Sequence, residues 1–176
     1  MGGLIGMVYI DFDGVILDTE ELLFKEWRKN PNHSLLPEKS KIRYIQEVDW
    51  EFILNHSDMI HDSIYYLKNM DPKDSAILTK IHSLTNEGVA KVNWIRSHDI
   101  LQNVILVPYP LKKCDMVDAN GNILVDDSLK NLDDWSKCNG TPIFFDMDDD
   151  NYDSWDRFNV KGYEKVLSLS RFVSKK

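Results

Sequence analysis

Asp11-Phe12-Asp13-Gly14-Val15-Ile16-Leu17-Asp18-Thr19 decides the reading of this chain. It follows the apolar run Leu4 to Ile10, which reads as a buried strand. Two carboxylates, one residue apart, therefore stand where a strand ends and a glycine turn begins. At average residue usage, Asp-x-Asp-Gly-x-x-x-Asp arises by chance at roughly one start position in 10⁵. Paired carboxylates at the carboxyl end of a parallel strand suit a divalent metal and phosphate chemistry.

Outward from this stretch, strands and helices alternate. Apolar, β-rich runs lie at Met7–Phe12, Ser75–Leu78, Val104–Val107, Ile123–Val125 and Pro142–Phe145. Helical character marks Glu20–Arg28, Asp58–Met70, Asn86–His98, Ser128–Lys137 and Lys161–Val173. The pattern predicts an α/β, Rossmann-like fold: a mainly parallel sheet of about five strands flanked by helices. The interval Val15 to Lys73 is too long for a simple crossover. It contains a polar, Pro-containing break from Asn30 to Pro37 and two or more amphipathic segments. The expected division is a core of residues 1–14 and 74–176, with 15–73 inserted as a small helical cap over the end of the first strand.

Composition narrows the function. With 176 residues, 43% of them hydrophobic, the chain is long enough for one packed domain and a small insert. The net charge of −8 argues against a nucleic-acid polymer as partner, which needs a basic face. It leaves room for a small anionic substrate, because a metal and one or two lysines reverse the local field. No run approaches the ~18 apolar residues of a membrane helix, and the apolar start lacks a basic region before it. These features predict a cytoplasmic protein with no membrane partner. Cys114 and Cys138 form no Cys-x-x-Cys pair and read as two reduced thiols. A homodimer is left open.

The chain resembles the haloacid dehalogenase superfamily. Asp11-x-Asp13-Gly14-Val15 looks like its first motif, and Ile77-Leu78-Thr79 like the second, an apolar strand ending in a hydroxyl. Lys113, with Lys112 beside it, looks like the third-motif lysine, and Ile123-Leu124-Val125-Asp126-Asp127 like the fourth, acidic motif. Within the superfamily the nearest resemblance is to the 5′(3′)-deoxyribonucleotidase family, cytosolic type C. It rests on Lys113 to Val117, Gly121 to Asp127, Leu129 to Trp135 and Pro142 to Phe145. Members that cleave pyrimidine nucleotides carry a base-stacking aromatic where this chain has Thr19. Trp27, Tyr44, Trp50 and Phe52 are the aromatics that the insert has to offer.

The resemblance implies a Mg²⁺-dependent phosphomonoesterase acting on a small phosphorylated substrate, such as a 5′-(deoxy)nucleotide. Asp11 would be the nucleophile that forms an aspartyl-phosphate. Asp13 would be the acid and base, brought to the same face by strand alternation, with its carbonyl on the metal. Gly14 would permit the tight turn beside the phosphate. Thr79 and Lys113, or Lys112 in its place, would hold phosphate oxygens. Asp11, Asp13, Asp126 and Asp127 would form the metal site, with Asp127 binding directly and Asp126 through water.

The acidic run Asp146 to Asp156 lacks the glycine and terminal glutamate of a calcium loop and reads as solvated. The five histidines show no ligand spacing. Alternative readings are a phosphosugar phosphatase or mutase of the same superfamily, or a non-catalytic module that binds a phosphorylated ligand. The side chains that the insert presents over Asp11 separate them: aromatics favour a nucleotide, polar and basic groups a sugar phosphate.

Overall fold

A computed structural model describes residues 6–147 and 162–173. Its elements run β1 (Val8–Ile10), α1 (Thr19–Arg28), α2 (Glu38–Glu47), α3 (Trp50–His56), α4 (Ser63–Asn69), β2 (Ser75–Ile81) and α5 (Val89–Ser97), continuing with β3 (Asn103–Pro108), α6 (Lys113–Met116), β4 (Ile123–Asp126), α7 (Leu129–Lys137), β5 (Thr141–Phe145) and β6 (Glu164–Val166). The strands form one parallel sheet in the order β3-β2-β1-β4-β5-β6. This is the Rossmann-like α/β architecture that the sequence predicts. After β1 the chain builds outward through β2 and β3, then returns to place β4 on the other side of β1. The carboxyl ends of β1 and β4 therefore flank a switch point, where open parallel sheets bind ligands.

Val8, Tyr9 and Ile10 are all buried, as expected for a central parallel strand covered on both faces. On one face Ile10, Phe12, Ile77, Val125 and Ile143 pack against Leu23, Ile45, Trp50, Ile53 and Leu67 from the insert and Ile95 from α5. On the other, Tyr9, Ala76, Leu78 and Leu124 pack against Leu132 and Trp135 of α7. The insert helices thus share a continuous core with the sheet. Asp18 caps α1 by accepting from Glu21 N at 3.3 Å, and Asp49 caps α3 by accepting from Phe52 N at 2.9 Å.

Several expected elements change. The sheet has a sixth strand, β6, where a helix over Lys161–Val173 is expected. Ile143 to Phe145 pair with Glu164 to Val166, which leaves Val166 buried, and only a 3₁₀ turn, Leu169–Phe172, follows. The apolar spacing there fits a helix, but pairing with β5 satisfies the backbone instead. The expected helix Asp58–Met70 contracts to Ser63–Asn69, because His61 and Asp62 adopt left-handed conformations at φ 40° and 56°. β2 runs three residues past Leu78, to Ile81. Most of the acidic run, from Asp148 onward, lies outside the described residues. Among the described residues no helix is long and apolar enough to cross a membrane.

Candidate active site

The end of β1 delivers Asp11, whose backbone N donates to Val125 O of β4 at 2.9 Å. That bond draws the two strand ends together. Asp126, the last residue of β4, and Asp127 follow at the same level. Among the described residues, the carboxylates of Asp11, Asp126 and Asp127 converge within 4.8 Å of one another. Lys113 Nζ lies 2.8 Å from Asp11 Oδ1 and 2.6 Å from Asp126 Oδ2, and is itself buried. Of the two candidate lysines the structure brings in Lys113; Lys112 is exposed and pairs with Asp134 at 3.0 Å.

Asp126 is fully buried. Its Oδ1 accepts from Ser128 N at 2.8 Å, and its Oδ2 from Asn131 Nδ2 at 3.0 Å. The amino end of α7 thus fixes it. Asp127 differs: among the described residues no cation stands within ion-pair distance of it. It lies against Gly14, where a Cβ would sit 2.0 Å from its Oδ2, and Gly14 has φ +72°. Glycine is required there by both space and backbone conformation.

Uncompensated charge shows in the acidities. Burial, then the neighbouring Asp126, push Asp11 up to about 7 despite Lys113. Burial, then Asp11 and Asp126, push Asp127 up to about 8. Burial alone would lower Lys113, but Asp11 and Asp126 outweigh it and hold the ammonium charged. Three carboxylates around one lysine form an oxygen-donor set short of positive charge. That set fits a hard divalent cation such as Mg²⁺.

Asp13 departs from expectation. β1 ends at Ile10, so strand alternation does not carry its side chain into the carboxylate cluster. Its Oδ1 instead accepts from Thr19 Oγ1 at 2.6 Å and its Oδ2 from Lys91 Nζ at 2.6 Å. Thr19, at the position of the stacking aromatic, is 1% exposed and anchors Asp13. Lys91 on α5 is a residue that sequence reasoning missed. It is 0% exposed, and its Nζ also reaches Glu87 Oε1 at 2.7 Å and Thr79 Oγ1 at 3.3 Å. Burial would lower Lys91, yet Asp13 and Glu87 raise it above the ordinary lysine range. Glu87 is held below the usual carboxylate range: Lys91 and His82 overcome its burial. The one available signal was the i, i+4 pair Glu87–Lys91 on an otherwise apolar helix face.

Thr79 is also not where the sequence suggests. Ile10 pairs with Ile77, so Leu78 and Lys80 share the Asp11 face and Thr79 points the other way. Its hydroxyl is fully buried and accepts from Lys91. Lys80 lines the site in its place; burial, then Lys113 and Lys130, lower it.

A cavity of about 280 Å³ opens over these groups. It is lined by Asp11, Asp13 and Asp127, by Thr19, Glu20, Leu23, Phe24, Ile45 and Trp50 of the insert, and by Lys80, His82, Tyr109 and Lys130. Of the four aromatics expected from the insert, only Trp50 lines it. Trp27 packs on Tyr44 at 5.0 Å, and Phe52 stacks on His56 at 4.2 Å. His82 and Tyr109 are stacked, with ring centres 5.3 Å apart.

No family model matches the chain, and no curated protein matches it in sequence. Its structure is similar to solved haloacid dehalogenase structures. A haloacid dehalogenase-like family hydrolase from Xanthomonas campestris matches with a TM-score of 0.58 at 12% identity, over 97% of this chain and 90% of that one. A HAD phosphatase from Thermococcus onnurineus matches at 0.58 and 13% identity, over 93% and 94%. A HAD-superfamily hydrolase of subfamily IA from Geobacter sulfurreducens matches at 0.59 and 12% identity, over 96% and 98%. The shared sheet and its flanking helices make this a haloacid dehalogenase-like fold.

Proposed function

We propose that the protein is a Mg²⁺-dependent phosphomonoesterase that hydrolyses a small phosphate ester through an aspartyl-phosphate on Asp11. One observation carries the reading: Asp11, Lys113, Asp126 and Asp127 converge at the switch point of the sheet, beneath a cavity of about 280 Å³. Asp11 attacks phosphorus in line, and Lys113 holds the ionised carboxylate beside the transferring group. Asp13, held by Thr19 and Lys91, protonates the leaving alkoxide and then activates the water that releases phosphate. Lys80 contributes a cation to the phosphate side of the cavity. Asp11, Asp126 and Asp127 would hold the metal, with Gly14 leaving room for Asp127. Mg²⁺ held there would supply charge neutralisation for the transferring phosphoryl group. The insert 15–73 acts as the cap, with α1, α2 and α3 forming one wall.

A 5′-nucleotide of the deoxyribonucleotidase type is the favoured ester. Phe24 and the His82–Tyr109 stack offer aromatic surface for a base at the cavity wall, with the buried Trp50 behind them. A phosphosugar with a second anionic group is the other reading. It is favoured by Lys80 and Lys130, neither of which has a carboxylate within ion-pair distance among the described residues. The test is phosphate release from a panel of nucleoside monophosphates, sugar phosphates and sugar bisphosphates, with Mg²⁺ and with EDTA. Release from one class, abolished by EDTA and by Asp11→Asn, is the expected result. Ligand binding without any phosphate release would point to the non-catalytic module instead.

A further inference from the structure

Cys114 and Cys138 are 24 residues apart in sequence, with no motif to join them. The fold nevertheless places their sulfurs 2.6 Å apart, Cys138 Sγ donating to Cys114 Sγ. Both residues are free thiols and both are partly exposed, so a small reagent can reach them. Cys114 sits in α6, next to Lys113; Cys138 ends α7, the helix that follows Asp126 and Asp127. Apart from Cys138, the contact of Cys114 Sγ is the carbonyl of Asp134, 3.8 Å away.

We propose that Cys114 and Cys138 are a reversible dithiol–disulfide site, which on oxidation ties the helix carrying Lys113 to the helix behind the metal-binding aspartates. The sulfurs stand about 0.6 Å beyond a disulfide bond length, so closure demands little movement of either helix. The oxidant is a low-molecular-weight disulfide of the glutathione class. The Cys138 thiolate attacks one sulfur of that disulfide, forming a mixed disulfide and expelling one small thiolate. Cys114 then attacks the Cys138 sulfur and expels the second. The two protein thiols are oxidised, the small disulfide is reduced to two thiols, and the two protein protons go to them. Burial and the adjacent thiol push Cys114 up to about 11, so its thiolate is scarce and the closing, intramolecular attack is the slow step, helped by the nearness of the two sulfurs.

The bond would close a loop that contains β4, Asp126 and Asp127. Restricting that loop in the unfolded chain stabilises the folded one. Lys113, one residue from the bridge, would be held against Asp11 and Asp126 more firmly in the oxidised protein.

The test incubates the full chain in graded mixtures of oxidised and reduced glutathione, then reads free thiols, intact mass and Tm. The expected product has no free thiol, a mass lower by two hydrogens, no glutathione adduct and a Tm raised by several degrees, all reversed by dithiothreitol. Cys138→Ser should leave Cys114 free or carrying a single glutathione, with no Tm gain. Two free thiols in a large excess of oxidised glutathione would overturn the proposal. So would stable adducts on both cysteines, or a bridge between two chains. No substrate is needed, so this result stands apart from the success or failure of the phosphatase reading.

Discussion

Lys91 Nζ lies 2.6 Å from Asp13 Oδ2, in a spot where the lysine has no exposure to solvent. Its other carboxylate partner, Glu87, is 3% exposed in its side chain, so one buried ammonium serves two carboxylates. Removing one partner of a buried ion pair leaves a charge without compensation, at about 3–5 kcal/mol. Lys91→Met should therefore cost about 3–5 kcal/mol of unfolding free energy, measured by urea denaturation. It should also lower kcat more than it raises KM, because Asp13 loses its anchor and the phosphate side of the cavity does not. A loss below ~1 kcal/mol would show that the pair is dispensable.

Thr79 and Lys80 make a paired test of strand register. Thr79→Val keeps the buried shape and removes a hydroxyl that never reaches the cavity, so KM should stay within about two-fold of wild type. Lys80→Ala removes a cavity-lining cation and should raise KM for a phosphate ester by about ten-fold or more. Steady-state kinetics on the best ester of the panel reads both. The reverse ranking would return the phosphate contact to Thr79.

Gly14→Ala places a Cβ 2.0 Å from Asp127 Oδ2, on a backbone at φ +72°. Asp127 must move, so Mg²⁺ affinity measured by calorimetry should fall at least ten-fold. Gly121 shares the same φ of +72° but has nothing within 4 Å of the added carbon. Gly121→Ala should thus cost only the backbone strain, about 1–2 kcal/mol, and leave Mg²⁺ affinity unchanged.

Acidity links stability to the metal. In the metal-free protein Asp127 is raised from its ordinary 3.8 to about 8, and Asp11 to about 7. The folded state then keeps protons that the unfolded chain gives up between about pH 4 and 8. The contribution of these groups is fully present below pH 4 and is lost as pH rises through 7 and 8. Metal-free Tm should fall across this range, and Asp127→Asn should flatten the fall. Added Mg²⁺ should raise Tm more at pH 8 than at pH 5.5, because at the lower pH it must displace protons. Thermal unfolding at fixed ionic strength, with and without Mg²⁺, reads each of these slopes.

Much of the fold was legible because its signals are local. The five apolar runs recur as strands at nearly the expected places, most plainly β1, β2 and β4 at the centre of the sheet, which are largely buried on both faces and so read as continuous hydrophobicity. β6 was not legible. Glu164 and Lys165 carry no strand signal, and their extended form comes from pairing with Ile143 and Phe144. The end of the helix at Asp58–Met70 was likewise hidden in two positive-φ residues, His61 and Asp62, whose conformations are set by the packing of the insert.

The same division runs through the site. The convergence of Asp11, Asp126 and Asp127 was legible because short motifs place them at strand ends, and parallel strands bring such ends together; Lys113 joins them from the start of α6. The chain could not say which way Thr79 faces, because a one-residue register sends a side chain to the opposite face. Nor could it find Lys91, whose partner Asp13 lies 78 residues away. Asp11-x-Asp13 by itself determined a carboxylate pair beside a glycine turn. Tertiary packing decided that the two take different partners at the wall of one cavity, Asp11 in the carboxylate cluster beside Lys113 and Asp13 on Thr19 and Lys91. The reason is that β1 stops at Ile10, so a contact with Thr19 of α1, six residues on, and one with Lys91 of α5, 78 residues on, set the direction of the second carboxylate.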